Sequence, residues 1–328
     1  MNDVATTAKR STVWRIARRV GIGLAALVVV VALAGTILWN WPAGFYGFST
    51  FLGRIACGVR LESIVVNGTP VATLMSSEQE NATPILFLHG YGTSKEAMFA
   101  EMRWFSKTRE VIAPDLPGFG DNPLKEGEAP LTGEQFVQWI EAFRIAASLD
   151  QIDLVGESMG GALAAAYAAT YPTAVGRLVL QSPAGVRPPH ENAVMEAIAR
   201  GENPLDIHNK ADFDRVLALC FVRPPPVPAP IRKYLVAKSA QRCLRHPEIL
   251  STFGPFLVSG VEPMLSSITA PTLILYGDQD KITDCSMLEV YSKGIAGSQS
   301  LLIRGAGHVA FSDAPREVRA ALIKFLDR

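Results

Sequence analysis

Residues 156–161 read GESMGG, a serine flanked by glycines within an otherwise aliphatic and alanine-rich run. The apolar run IDLV precedes it and ALAAAYAATY follows, so the segment predicts a strand, a sharp turn and a helix. Residues 156–160 fit the pattern Gly-x-Ser-x-Gly, in which the turn is strained and side chains at Gly156 and Gly160 would meet neighbouring atoms. The pattern predicts that Ser158 is a nucleophile; a serine at an ordinary helix N-terminus is the alternative.

Short, wholly apolar runs of the kind buried in parallel sheets recur along the chain. They occupy residues 84–90, 110–115, 151–157, 175–182, 271–278 and 299–305. Helical spacing is found at residues 95–106, 133–148, 159–170 and 315–326. This alternation predicts an α/β fold with a mostly parallel central sheet and helices on both faces. Residues 62–75 add a hairpin, because Asn67-Gly68 joins two β-rich runs.

The alternation stops at residues 185–269, which contain helical pieces and the proline-rich run RPPPVPAP but no clear buried strand. We predict that this segment is a cap or lid inserted into a core made of residues 62–184 and 270–328. A long excursion at the ligand-binding edge of a sheet is often functional, although a surface insertion without a role is the alternative.

The N-terminal region predicts a membrane anchor. Residues 1–19 form a basic tail with five Lys/Arg, and the anchor at 20–41 contains about the 20 uncharged residues that a helix needs to cross a bilayer. The basic bias places the N-terminus in the cytoplasm and the rest of the chain on the periplasmic or outer side. Small residues at 32–34 also fit a signal-peptide cleavage site, which would make the domain secreted. Residues 42–61 are predicted to be a linker whose apolar part could lie along the membrane surface or pack on the domain.

Composition excludes several classes of function. The formal net charge is zero, and beyond residue 41 the chain has 26 basic and 30 acidic residues (31 less five, and 31 less one), so we expect no nucleic-acid partner. No internal repeat and no Cys/His spacing typical of metal sites is present, and we predict neither a metal nor a cofactor. Cys220 and Cys243 could pair in an oxidising compartment. The oligomeric state is not predicted.

A serine hydroxyl needs a general base, and His308 is the best placed of the five histidines. It follows the last predicted strand and precedes the C-terminal helix, in the chain order Ser, acid, His. His190, His208 and His246 fall in the cap, where we expect surface or lid residues. His89 comes too early in the chain and is expected to hold loops near Ser158 by hydrogen bonds.

The acid that orients His308 is expected after the strand at 271–278. Asp280, the fourth residue of Gly277-x-x-Asp, is the preferred candidate, and Asp278 is expected to brace the loop. The turn QSPAGV after the preceding strand has no carboxylate.

The oxyanion of a tetrahedral intermediate needs hydrogen-bond donors. The main-chain N–H of Met159, directly after the nucleophile, is one expected donor. The N–H of Tyr91, in the run LHGYG, is the other.

Taken together, the runs FLHGYG, PDLPGFG, VGESMGG, YGDQD and GAGHVAF resemble the α/β-hydrolase superfamily over residues 62–328. Ser-Met-Gly-Gly, LQSPAGV and the anchor are similar to membrane-anchored monoacylglycerol lipases and related bacterial lipases and esterases. The resemblance implies a serine ester hydrolase that acts on lipid-like or small carboxylic esters through Ser158, His308 and Asp280 and an acyl-enzyme. The sequence departs from the common family pattern at Glu157, where histidine or asparagine is frequent. This departure leaves the detailed substrate specificity open.

Two alternatives remain. Ser-Met-Gly-Gly also occurs in carbon–carbon bond hydrolases of the meta-cleavage type, which act on soluble substrates and gain nothing from an anchor. A noncatalytic binding protein on the same scaffold would show a broken triad position.

On the favoured interpretation, apolar cap residues are available for an acyl chain, and basic cap residues face anionic headgroups or simply solvent. The apolar residues are Phe221, Val222, Ile231, Leu235 and Phe256, and the basic ones are Arg232, Lys233, Lys238, Arg242 and Arg245.

Overall fold

The apolar runs of the sequence form the strands of one sheet in the computed structural model, which describes residues 14, 20, 24–79, 82–190 and 192–327. Eight strands are found within these ranges. They are β1 (Arg60–Val66), β2 (Thr69–Met75), β3 (Ile85–Leu88), β4 (Val111–Pro114), β5 (Ile152–Glu157), β6 (Val175–Gln181), β7 (Thr272–Gly277) and β8 (Gln299–Ile303). Every residue of β3, β4, β5 and β7 is buried, which explains why these runs lack polar alternation.

The order of the strands across the sheet is β1-β2-β4-β3-β5-β6-β7-β8. β2 pairs antiparallel with both β1 and β4, and all other pairings are parallel. The β1–β2 hairpin turns at Asn67 and Gly68, whose φ angles are 49° and 78°. Two positive φ angles are what a type I′ turn requires, so the predicted hairpin is confirmed.

Helices cover both faces of the sheet. Among the described residues these are α1 (Leu24–Asn40), α2 (Pro42–Cys57), α3 (Phe99–Phe105), α4 (Gly133–Ala146), α5 (Met159–Thr170), α6 (Ala193–Ala199), α7 (Lys210–Cys220), α8 (Ala229–Arg242), α9 (His246–Pro255), α10 (Met287–Gly294), α11 (Ala310–Asp313) and α12 (Pro315–Leu326). Short 3₁₀ helices occupy Lys95–Met98 and Glu262–Ser267, and a π-helix occupies Phe256–Gly260. One core cluster contains side chains of α4 and α5 and the other contains side chains of α3 and α12, which confirms the predicted α/β layering.

The N-terminal region differs from the expectation. α1 ends at Asn40, and α2 begins at Pro42 after a bend of 110°. Of the described helices, none alone has the length and apolar character to cross a membrane, and only the bent pair α1 and α2 passes that test together. The predicted linker at 42–61 is mostly helix α2, whose Tyr46 ring stacks on Tyr234 of α8 at 4.4 Å. The predicted basic tail and the beginning of the predicted anchor lie largely outside the described residues.

Helices α6 to α9 belong to the insertion at residues 185–269, and no strand is found among its described residues. Basic side chains attach it to the loop that follows β4. Lys238 donates to Asp121 at 2.8 Å, and Arg242 donates to the carbonyl of Gly120 at 2.6 Å. Two of the basic residues that we expected to face headgroups or solvent therefore hold α8 against the core.

Candidate active site

Ser158 lies at a strained turn between β5 and α5. Its φ of 56° and ψ of −115° are unusual for a residue with a side chain, and its N–H donates to the carbonyl of Gln181 on β6 at 2.9 Å. A Cβ at Gly156 would lie 2.2 Å from the carbonyl oxygen of Gly160, and one at Gly160 would lie 2.1 Å from that of Leu88. Only glycine fits at either position, so the two glycines permit the turn that presents the serine.

Small residues continue into α5, and they let this helix approach the sheet closely. Every residue from Met159 to Ala168 is buried. A Cβ added at Gly161 would lie 2.9 Å from the Cβ of Pro183. The alanine-rich run is therefore a packing requirement of the segment that carries Ser158.

His308 and Asp280 lie together in loops at the carboxyl ends of β8 and β7. The Nδ1 of His308 is 2.9 Å from Oδ2 and 3.1 Å from Oδ1 of Asp280. Because Nδ1–H donates a hydrogen bond to Asp280, the unprotonated nitrogen of the neutral imidazole is Nε2, and Nε2 is therefore its basic atom. Asp278 is exposed and accepts a hydrogen bond from the N–H of Gly305 at 2.7 Å, so it braces the loop.

The carboxylate of Asp280 is well satisfied despite its burial. Oδ1 accepts from the N–H groups of Ile282 at 2.8 Å and Thr283 at 3.0 Å. The hydroxyl of Thr283 lies 2.9 Å from Asp280 Oδ2 and 3.1 Å from His308 Nδ1. Thr283 was not identified from the sequence, although its place three residues after the predicted acid was a usable signal.

The electrostatic surroundings favour a charged His308. Burial lowers the pKa of this imidazole, but the charge and hydrogen bond of Asp280, together with the charge of Glu157, outweigh burial and raise the pKa above its ordinary value. This environment stabilises the imidazolium that forms when a histidine accepts a proton.

A second acidic group lies beside Ser158 and was not predicted. Glu157 is buried, and its Oε1 has no hydrogen-bond partner within the described ranges. Glu101 on α3 is also buried and accepts from the Gln181 amide at 2.6 Å, while its Oε2 has no partner in the part of the chain that the structure describes. Burial, with the neighbouring charge of Glu157, raises the pKa of Glu101 to about 8, although the Gln181 hydrogen bond opposes this. Burial also raises the pKa of Glu157 to about 7, with His308 lowering it and Asp280 raising it.

The remaining candidates surround a narrow pocket. Tyr91, Ser158 and Met159 line it, and Met159 is the first residue of α5, where backbone N–H groups lack helical acceptors. Its other lining includes the apolar side chains Met195, Ile198, Leu205, Leu250, Leu257 and Ile282. The five apolar cap residues suggested from the sequence are not part of this lining. The pocket instead uses α6, α9 and the loop before α7.

The other four histidines differ in their burial and in their hydrogen bonds. His89 is buried, accepts from the N–H of Leu116 at 3.1 Å and lies 2.9 Å from the carbonyl of Gly90, as expected for a loop-holding residue. Burial lowers its pKa, so it stays neutral. His190 and His208 are exposed, whereas His246 is buried within the insertion, so of the surface and lid positions expected for these three residues it takes the second. All four cysteines lie in the described ranges and are free thiols, so Cys220 and Cys243 are not paired.

The end of α7 is connected to the His308 loop through Asp313. This buried carboxylate accepts from the N–H groups of Val222 and Arg223, both at 3.0 Å, and from that of Gly307 at 2.9 Å. The N–H of Val309 also donates to the carbonyl of Cys220 at 3.1 Å. Residues 220–223 of the insertion and residues 307–309 therefore form one hydrogen-bonded unit.

Comparison with known proteins gives consistent results. The bovine (Bos taurus) monoacylglycerol lipase ABHD6 is 25% identical over 315 residues, covering 93% of this chain and 92% of that protein. Lipase 3 of Moraxella sp. (strain TA144) is 26% identical over 251 residues, covering 74% and 78%. The crystal structure of a membrane phospholipase A, described as a bacterial virulence factor, aligns with a TM-score of 0.83 and 32% identity over 93% of this chain and 97% of that one. The model of the alpha/beta hydrolase family matches residues 85–321, and the chain belongs to this family.

Proposed function

We propose that this protein is a serine hydrolase of lipid-like carboxylic esters, with Ser158, His308 and Asp280 as its catalytic triad. The observation that carries the proposal is the partly exposed Ser158, held at a positive φ in an apolar pocket. The hydrogen-bonded His308–Asp280 pair, also at the carboxyl edge of the sheet, supports it. The similarity to monoacylglycerol lipases, a bacterial lipase and a membrane phospholipase A supports a lipid ester as the substrate class.

In the proposed mechanism, Nε2 of His308 accepts the hydroxyl proton of Ser158 while Oγ attacks the ester carbonyl. The N–H groups of Tyr91 and Met159 stabilise the oxyanion of the tetrahedral intermediate. Collapse of the intermediate expels the alcohol, which takes the proton from His308, and leaves an acyl-enzyme. Water, deprotonated by His308, then attacks the acyl carbonyl, and the carboxylic acid leaves as Ser158 regains its proton.

The insertion at 185–269 is proposed to act as the lid over this site. Met195, Ile198 and Leu250, from α6 and α9, line the pocket around Ser158. An acyl chain placed there would bury apolar surface at about 25 cal/mol per Å². The pocket is narrow, so we expect these helices to move when a long chain enters.

Membrane attachment through the N-terminal helices is the second part of the proposal. Every side chain from 24 to 37 is exposed, and most of these residues are large and apolar. On α2, the exposed residues Phe48, Phe51, Leu52 and Ile55 follow the spacing of one helix face. An anchor in α1 and a surface position for α2 would remove both sets from water. The basic tail implies a cytoplasmic N-terminus with the catalytic domain outside, and secretion after cleavage near residue 34 is the alternative.

The test is hydrolysis of p-nitrophenyl esters from acetate to palmitate, with monoacylglycerol and diacyl phospholipid as further substrates. Activity on medium or long chains should fall by at least about 10⁴-fold in Ser158→Ala. Ser251→Ala, an exposed serine of α9, is the matched control and should retain activity. Turnover of acetate and butyrate alone would indicate a general esterase. A fully folded protein with no ester turnover would contradict the proposal in favour of a carbon–carbon hydrolase or a binding protein.

Intact-mass measurement of the membrane fraction tests the attachment. The proposal requires the full-length chain to sediment with membranes and to be released by detergent. A shortened, soluble chain that begins after residue 34 would contradict it.

A further inference from the structure

The insertion contains a compact group of three different ligand types. Asp206 and His208 lie in the loop before α7, and Cys243 directly follows α8. One carboxylate oxygen, one imidazole nitrogen and the thiol sulfur of these residues all lie within 4.8 Å of one another. Ligands of a tetrahedral ion with bonds of about 2.0–2.3 Å lie roughly 3.3–3.8 Å apart, so these side chains would close around an ion by about 1 Å.

Other residues hold the carboxylate of Asp206 in place. Its Oδ1 accepts from the amide of Asn203 at 2.6 Å and is hydrogen-bonded to Nδ1 of His246. His246 is 5% exposed, and its Nε2 has no hydrogen-bond partner among the described residues. Carboxylates that bind metal ions are themselves usually hydrogen-bonded, as Asp206 is here. His246 contacts Asp206 through Nδ1 and its Nε2 points away from that carboxylate, so His246 positions Asp206 and is not itself one of the ligands.

We propose that Asp206, His208 and Cys243 bind one divalent ion of the zinc class. Thiolate, imidazole and carboxylate together suit Zn²⁺ or Co²⁺, whereas Mg²⁺ and Ca²⁺ prefer oxygen ligands alone. Three protein ligands leave a fourth tetrahedral position for water. The proposal is independent of the ester hydrolase function.

Binding must displace a proton from the thiol. The metal–sulfur bond forms as the S–H proton passes to solvent. Affinity should rise with pH, because the proton and the metal compete for the same sulfur.

The position of the group links it to the pocket. Asn203 and Leu205, in the same loop as Asp206, line the pocket that contains Ser158. The ring of His246 lies 5.2 Å from that of Tyr91. A bound ion would tie this loop to the end of α8 and restrict the mouth of the pocket.

The experiment is a titration of the full-length protein in detergent, purified without a histidine tag, with CoCl₂ and separately with ZnCl₂. We expect one Co²⁺ per chain, with thiolate-to-cobalt charge-transfer absorption in the near ultraviolet. Zn²⁺ should raise the Tm in a concentration-dependent way. Affinity should increase from pH 6.5 to 8.

Variants with matched controls identify the ligands. Cys243→Ser should abolish the charge-transfer band, and His208→Asn, at an exposed position, should weaken binding at least tenfold while preserving the metal-free Tm. Cys285→Ser and His190→Asn, at a partly buried and an exposed position, should bind like the wild type. The proposal is overturned if the wild type shows no charge-transfer band, or if the band survives Cys243→Ser or disappears in Cys285→Ser.

Discussion

Two groups of buried charges in this molecule differ in whether they contain a cation. Near the attachment of the insertion, the fully buried Lys95 donates to Asp115 at 2.7 Å and to Asp121 at 2.8 Å. Beside Ser158, Glu101 and Glu157 are both buried, and neither has an ion-pair partner in the described chain. Burial lowers the pKa of Lys95, but the charges of Asp115 and Glu96 outweigh burial and raise it, whereas burial without a paired cation raises the pKa values of Glu101 and Glu157. We therefore expect loss of the cation from the first group to destabilise the fold, and ionisation of the second group to make stability and catalysis depend on pH.

The largest expected effect comes from removing the cation of the first group. Lys95→Met leaves Asp115 buried without its partner, and we expect the free energy of unfolding to fall by about 3–5 kcal/mol. Denaturant unfolding at neutral pH, followed by far-UV circular dichroism, measures this change. Lys238→Met removes the outer, partly exposed partner of Asp121 and should cost less than about 1 kcal/mol. Equal losses in the two variants would show that burial does not distinguish the lysines.

The carboxyl pair predicts a stability change of the opposite kind. An unfolded glutamate loses its proton near its ordinary pKa of 4.5, whereas Glu157 and Glu101 keep theirs to about 7 and 8 in the folded state. The unfolded state therefore binds fewer protons between about pH 5 and 8, and stability falls as pH rises through this window. Glu101→Gln should be more stable than the wild type by a few kcal/mol at pH 8, with little difference at pH 4.5.

The control for this experiment is Glu134→Gln, an exposed residue of α4, which should follow the wild-type stability at both pH values. An equal stability gain of Glu101→Gln at pH 4.5 and pH 8 would reject ionisation as the cause.

Glu157→Gln should change the pH dependence of catalysis. The charge of Glu157 raises the pKa of His308, and the proposed base must be neutral. Without this charge, His308 loses its proton at lower pH, so the acidic limb of the kcat/KM profile should move to lower pH. Glu101→Gln keeps Glu157 and should not move the limb in that direction. An unchanged limb in Glu157→Gln would mean that Glu157 does not act on the base.

The smallest expected effect comes from removing one of the hydrogen bonds that the carboxylate of Asp280 accepts. Thr283→Val removes a hydroxyl 2.9 Å from Oδ2 while two backbone N–H groups remain. One hydrogen bond contributes about 1 kcal/mol, so kcat/KM should fall by roughly tenfold or less. Thr283→Ser should restore it. A loss as large as that of Ser158→Ala would assign Thr283 a greater role than holding the acid.

The strands of the sheet could be predicted because each strand is recognisable from its own short stretch of sequence. β3, β4, β5 and β7 are buried along their whole length, so their sequences are continuous apolar runs. The turn at Ser158 is likewise specified by two glycines whose replacement would cause clashes at about 2 Å. Asp280 could be placed near His308 because both follow neighbouring parallel strands, which end at the same edge of the sheet.

The insertion and the carboxyl pair could not be predicted in the same way. Which helices of residues 185–269 contact the pocket depends on long-range packing, so Phe221 and Ile231 were as plausible as Met195. In the sequence, a glutamate such as Glu101 would be expected at the surface. Its burial depends on the packing of α3 on the sheet, where Glu101 accepts a hydrogen bond from Gln181 of β6. Asp206 precedes α7 and Cys243 follows α8, so the two residues lie far apart in the chain and no metal-like spacing connects them.

The hydrogen bonds of Asp313 limit how this molecule can open. The carboxylate joins residues 222 and 223 of the insertion to Gly307, next to His308. A displacement that broke these bonds would also release the loop that carries the proposed base. If the insertion opens as the proposed lid, we therefore expect the C-terminal end of α7 to stay in place while the rest of the insertion moves relative to it.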